Sequence, residues 1–215
     1  MVRAAIVLFE GVTLLDAVGP YEMWVGLPGV EVVFVAAERG PVRAAGGRGA
    51  LVADASFAEV ERADVVCVPG GPGQARHMGG GSLVEWVRRV DAGSRWTTSV
   101  CTGSLILAAA GLLEGRRATT HWLARGQLAR WGVFVVQERV VFDGGYVTAA
   151  GVSAGIDMGL VLAERLTDRR TAQLVQLAAE YDPRPPFDAG SEVTAPPEVV
   201  AAARARSRFS VEGAG

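Results

Sequence analysis

The sequence contains no lysine: all 21 of its Lys and Arg residues are arginine. That absence excludes Schiff-base and Ser–Lys mechanisms and any phosphate-binding loop built on a lysine. Asparagine is missing as well, which removes a Cys-His-Asn triad. Histidine is nearly absent. Only His77 and His121 occur, and they form no recognisable metal-ligand spacing, so neither a metal nor another cofactor is expected. Two cysteines, Cys67 and Cys101, are too few for a disulfide framework, and a reducing, cytoplasmic setting is the expectation. The net charge of −2 gives no long-range pull toward nucleic acid or an anionic membrane. No run reaches the ~18 apolar residues of a membrane span, and Met1-Val2-Arg3 leads straight into a strand-like run rather than a secretory leader. No repeat or low-complexity linker interrupts the chain. All 215 residues are therefore expected to form one domain, with a disordered tail from about residue 208.

Half of the residues are hydrophobic, and they are ordered as alternating strand and helix patterns. Strands are predicted over residues 3–9, 31–37, 64–69 and 96–100, with helices over 14–25 and 83–90 and from the glycine after Cys101 onward. The strand runs are almost continuously apolar, as in strands covered on both faces. This predicts an α/β fold with a mostly parallel sheet sandwiched between helices. A helix is expected after His121, then a hairpin of residues 134–142 and 146–149 around Asp143-Gly144-Gly145. Helical segments follow over 153–166 and 168–181. The segment Asp182-Pro183-Arg184-Pro185-Pro186-Phe187 is too proline-rich for helix or central strand and should pack in extended form, and 197–206 reads as a last helix.

Ligands of such sheets sit outside the carboxyl ends of the strands. Cys101 falls there, between an apolar strand and a glycine-bearing helix start, in the arrangement of a nucleophile elbow written V-C-T-G-S. The helix N-terminus favours a thiolate. Cys67, inside V-V-C-V, reads as core packing instead. The turn Gly70-Gly71-Pro72-Gly73 ends the neighbouring strand, and the N–H groups of Gly71 and Thr102 form a candidate two-donor site for developing negative charge. It is not a dinucleotide fingerprint. Asp16, in the otherwise apolar L-L-D-A-V-G-P-Y-E, needs a partner or must become neutral, so it is the candidate acid, with Glu22 as its rival. His121, in A-T-T-H-W, is either the base of a Cys–His dyad or a structural residue at a helix start.

Taken together, F-E-G-V-T-L-L-D-A-V-G-P-Y-E, V-P-G-G-P-G and V-C-T-G-S-L-I-L-A-A-A-G-L-L resemble the ThiJ/PfpI superfamily over roughly residues 2–167. A-T-T-H-W, A-G-V-S-A-G-I-D and E-Y-D-P-R-P-P-F-D-A-G-S resemble its isocyanide hydratase branch. The resemblance implies a flavodoxin-like, class I glutamine amidotransferase-like sandwich and a homodimer acting on a small molecule. It also implies catalysis by Cys101, Asp16 and Thr102, with Asp182 as a second acid. Many members of the superfamily have a histidine after the cysteine and a glutamate in the early segment. Thr102 and Asp16 stand in those places here, which argues against peptidase activity. AraC-type regulators share several of these motifs but add a helix-turn-helix region, for which the tail of this chain is not basic enough. The expected reaction is hydration of an isocyanide to an N-substituted formamide through a Cys101 thioimidate. The alternatives are a small-molecule or redox sensor on the same fold, and another cysteine-dependent hydrolase or a glyoxalase-like enzyme.

Overall fold

The computed structural model describes residues 1–207; the tail expected to be disordered from about residue 208 lies outside them. In chain order the strands are β1 (Val2–Val7), β2 (Val30–Ala36), β3 (Gly40–Arg43), β4 (Ala50–Ala53), β5 (Ala55–Ser56), β6 (Val65–Val68), β7 (Trp96–Val100), β8 (Arg117–Ala118), β9 (Phe134–Val135), β10 (Val140–Asp143) and β11 (Tyr146–Ala149). The α-helices are α1 (Leu14–Trp24), α2 (Ser82–Asp91), α3 (Gly103–Ala109), α4 (Arg125–Ala129), α5 (Ala154–Leu166), α6 (Arg169–Ala178) and α7 (Pro197–Ala205).

Seven strands form the central sheet in the order β10-β11-β7-β6-β1-β2-β5. Every pairing is parallel except that of β10 with β11 at one edge. The sequence dictates this by the period of two along each strand. In β1, Ala5 and Val7 join one apolar cluster, with Leu83, Trp86 and Val87 of α2 and Leu105 of α3. Ala4 and Ile6 join the other, with Ala17 and Trp24 of α1 and Met158 and Leu162 of α5. Both faces are therefore buried, which is why β6 reads V-V-C-V with no polar position.

On the second face α1 and α5 approach until Trp24 Nε1 donates to the Gly159 carbonyl at 2.9 Å. A Cβ at Gly159 would stand 2.8 Å from Met23 Cβ, so only glycine permits this crossing. Helix α1 carries Pro20 within it and starts from Thr13 in extended conformation.

Two expectations are corrected. The hairpin is shorter than predicted: β10 starts at Val140, and Phe134–Val135 pairs in parallel with β8 as a separate ribbon. Gln137, Glu138 and Arg139 supply the polar break between the two pieces. The Pro-rich segment does not pack, because residues 182–191 are exposed and Phe187 is 77% accessible. Among the described residues, no helix is long and apolar enough to cross a membrane.

Candidate active site

Strand β7 ends at Val100 and α3 begins at Gly103, so Cys101 occupies a two-residue corner. Its φ is +57°, a left-handed conformation that costs a non-glycine residue on the order of 1–3 kcal/mol unless its surroundings over-determine it. They do. Its N–H is shared between the carbonyls of Ala149 (3.1 Å) and Ala150 (2.8 Å), just past β11. Its carbonyl accepts from Thr120 Oγ1 (3.0 Å) and Ser104 Oγ (3.2 Å). The corner is closed from β6 by Gly70. A Cβ there would lie 2.4 Å from Thr102 N and 3.0 Å from Cys101 Cβ, so no other residue fits.

Gly70 also brings in the acid. Its carbonyl accepts from Thr13 N–H at 2.9 Å, fixing the start of α1, and its N–H donates to Asp16 Oδ2 at 3.0 Å. The other carboxylate oxygen, Oδ1, is buried with no hydrogen-bond partner among the described residues. Asp16 and Cys101 are both fully inaccessible, and each shifts the other's proton affinity. Burial pushes the Asp16 carboxyl up to about 7, although the Gly70 N–H and Cys101 pull it back. Burial also raises the Cys101 thiol, with Asp16's charge next in size, against the backbone N–H groups of Val152 and Thr102, which favour thiolate. The helix start favours thiolate, as its open N–H groups imply, but does not decide the balance. Desolvation wins, and at neutral pH the proton rests on sulfur beside a carboxylate able to take it. Such a pair is chemically able to couple proton transfer to nucleophilic attack.

With this geometry in view, comparison with known proteins is specific. A pattern for the DJ-1/PfpI family matches residues 2–165. The chain belongs to that family. It is 46% identical over 205 residues to an isonitrile hydratase of Pseudomonas putida, covering 95% of this chain and 90% of that one. The crystal structure of a ThiJ/PfpI family protein from Pseudomonas syringae superposes with a TM-score of 0.91 at 40% identity, covering 94% of this chain and 84% of that one. The HTH-type transcriptional regulator CdhR of Pseudomonas aeruginosa is 36% identical over 130 residues, which are 60% of this chain but 38% of the regulator. The flavodoxin-like sandwich resembling class I glutamine amidotransferases is thereby established.

Within this DJ-1/PfpI fold the other candidates fall differently. Thr102 is fully buried at the N-cap of α3. Gly71, read as a donor toward developing charge, is instead bonded inward: its N–H donates to Thr102 Oγ1 at 3.0 Å. The reason is local. Its φ of +138° lays it against Gly11 and Thr13, where a Cβ would stand 2.5 Å from the Gly11 carbonyl oxygen. His121 serves a structural role at a helix start. Its Nδ1 accepts the Leu123 N–H at 3.2 Å, capping a short 3₁₀ turn, and burial followed by Arg125 lowers it to about 4. Glu22 is exposed on α1, in a cleft against Thr171 and Leu174 of α6. Asp182 is exposed beyond α6 and pairs with Arg184 at 2.6 Å, so this chain does not bring it to its own Cys101 group. Cys67 sits in the core, with burial lifting its thiol to about 12.

Sequence reasoning missed Val152, Thr120 and Ser104. Val152 acts through its backbone, which leaves no trace in residue type. The two hydroxyls lie inside motifs already singled out, A-T-T-H-W and V-C-T-G-S.

Proposed function

We propose that this chain is a hydro-lyase that hydrates isocyanides to N-substituted formamides, with Cys101 as nucleophile and Asp16 as proton carrier. The observation that carries the reading is the buried Asp16 carboxylate set against the Cys101 thiol with one oxygen otherwise unbonded. The 46% identity to an isonitrile hydratase over 95% of the chain supports the choice of substrate class.

The isocyanide carbon both accepts a nucleophile and receives a proton. Asp16 takes the thiol proton as sulfur attacks that carbon, then delivers it to the same atom, giving the thioimidate R–N=CH–S–Cys101. Asp16, again a carboxylate, next takes a proton from the attacking water and passes it to the imine nitrogen. Collapse of R–NH–CH(OH)–S–Cys101 releases R–NH–CHO and returns the last proton to sulfur. One carboxylate acts alternately as base and acid, which requires an affinity near the working pH, and a value of about 7 supplies it. Thr102 and Val152 N–H groups stabilise the charge on sulfur. Thr102 Oγ1, held by Gly71, fixes the corner from the β6 side.

The reaction belongs in a reducing cytoplasm, where both cysteines stay free. The chain works as one domain and as a homodimer; exposed Leu174, Leu177 and Phe187 support self-association. In this reading Asp182, on the exposed segment, serves as a second acid for the partner's site. The redox-sensor alternative loses support from the complete burial of Cys101 and its raised thiol. The direct test is incubation with alkyl and aryl isocyanides, following loss of the isocyanide infrared band and appearance of the formamide proton by NMR. Formamide from the wild type and none from Cys101→Ala is the expected result. No formamide from any member of the panel would discard the reading.

A further inference from the structure

The turn between β11 and α5 carries two features that need an explanation. Val152 has a φ of +25°, a left-handed value that a β-branched residue resists. Its backbone N–H nevertheless acts on Cys101, favouring the thiolate. Something must keep this turn in place, and the corner itself supplies only one side: the Ala149 and Ala150 carbonyls accept from Cys101 N–H.

The other side is Arg139, which precedes β10. Its carbonyl accepts the Ala150 N–H at 2.9 Å, continuing the β10–β11 ladder past its last strand pair. Its guanidinium then reaches over the turn. Nη2 donates to Ser153 Oγ at 3.2 Å, and Nε pairs with Asp157 Oδ2 in the first turns of α5. The second Asp157 oxygen accepts from Tyr181 OH at 3.1 Å, tying in the chain just after α6. Arg139 thus holds both sides of Val152, by its backbone carbonyl at Ala150 and by its side chain at Ser153 and Asp157, and Tyr181 braces the carboxylate that side chain holds. Surface ion pairs contribute little stability on average. This pair is half-exposed, with the Arg139 side chain 52% accessible, so its value lies in geometry rather than in stability.

We propose that Arg139 is a positioning residue for the reaction: with Ser153, Asp157 and Tyr181 it clamps the Val152 turn so that the Val152 N–H keeps acting on Cys101. It touches neither substrate nor sulfur and acts through Val152. The assignment rests on the isocyanide reading only for its kinetic consequence; the effect on the thiol does not depend on the substrate.

The experiment compares Arg139→Gln with wild type by two readouts. One is kcat and KM on an isocyanide. The other is the rate of Cys101 alkylation by iodoacetamide across pH, measured at that residue by mass spectrometry. Losing a hydrogen bond to a charged acceptor should slow alkylation at a given pH about tenfold and lower kcat by a similar factor, with KM little changed. A merely structural role gives the opposite sign, because a loosened turn exposes the sulfur and speeds alkylation. Unchanged or faster alkylation therefore overturns the proposal. Arg117→Gln, which breaks an exposed pair with Glu138, should leave both readouts at the wild-type level, and a similar slowing there would overturn the proposal by showing the effect to be nonspecific. If Arg139→Gln does not fold, Tyr181→Phe replaces it, with a smaller slowing expected and no slowing counting against the clamp. If the wild type turns over no isocyanide, the function reading falls while the alkylation rates still decide on Arg139.

Discussion

Burial that lifts the Asp16 carboxyl to about 7 has a thermodynamic consequence at the scale of the single residue. Its folded-state affinity for a proton exceeds that of the unfolded chain. The stability gained from the protonated form is complete below about pH 4 and is lost as pH rises through about 7. The loss is on the order of 4 kcal/mol by the end of that window. Asp16→Asn carries no charge at any pH, so it should melt higher than wild type near pH 8 and at about the same temperature near pH 4. Calorimetry at the two values checks this. The same substitution should lower kcat by about 10²–10⁴-fold, because the amide cannot carry a proton. It should also erase the limb of the wild-type kcat/KM profile that falls as pH drops below about 7. Near-normal kcat in Asp16→Asn would assign the residue to structure alone. Cys101→Ser should fold and fail to turn over. At this scale the meeting of Cys101, Asp16 and Thr102 around the Gly70–Gly71 turn was legible as a placement, because a buried acid and a strand-end cysteine stand out by type. The assignment of Gly71 failed because where an N–H points depends on residues 11–13, which only the fold places against it.

Elements were easier to read than their joints. The four central strands and helices α1, α2, α5 and α7 emerge from apolar periodicity to within a residue or two of their expected limits. Both strands of the β3–β4 hairpin escaped, since G-P-V-R and A-L-V-A are short and flanked by glycine, and their pairing is a tertiary fact. Glycine illustrates the difference between chain and fold. Sequence reading sets Gly70 in a strand-ending turn and Gly126 in a helix, without saying what a side chain would meet at either. In the structure a Cβ on Gly70 meets Thr102 N at 2.4 Å, whereas Gly126, inside α4, has open space around it. Gly70→Ala should therefore cost several-fold more stability than an ordinary substitution, beyond about 3 kcal/mol, and abolish turnover. Gly126→Ala should stabilise by about 0.5–1 kcal/mol with activity intact. Paired thermal melts and activity assays distinguish the two. Equal effects would mean that the β6 corner tolerates displacement.

For the whole molecule, α6 and the segment after it present Leu174, Leu177 and Phe187 to solvent, with Leu177 at 74% accessibility. A twofold partner is the economical cover for such a surface. Light scattering at micromolar concentration should give a dimer mass for the wild type and a lower mass for Leu177→Arg; a monomeric wild type would refute the assembly. The complete inaccessibility of Cys101 in the resting chain bears on selectivity at the same scale. Any reactant reaches the sulfur only during excursions that uncover it. When the competent form is a small fraction of the population, apparent affinity falls by that fraction, whichever molecule is binding. Every isocyanide then meets the same multiplier. Changing the R group rescales KM through wall contacts alone, while a substitution that makes opening easier lowers KM by one common factor across the series. The breathing of the fold sets the baseline concentration at which the enzyme responds, and the pocket sets only the ranking above it.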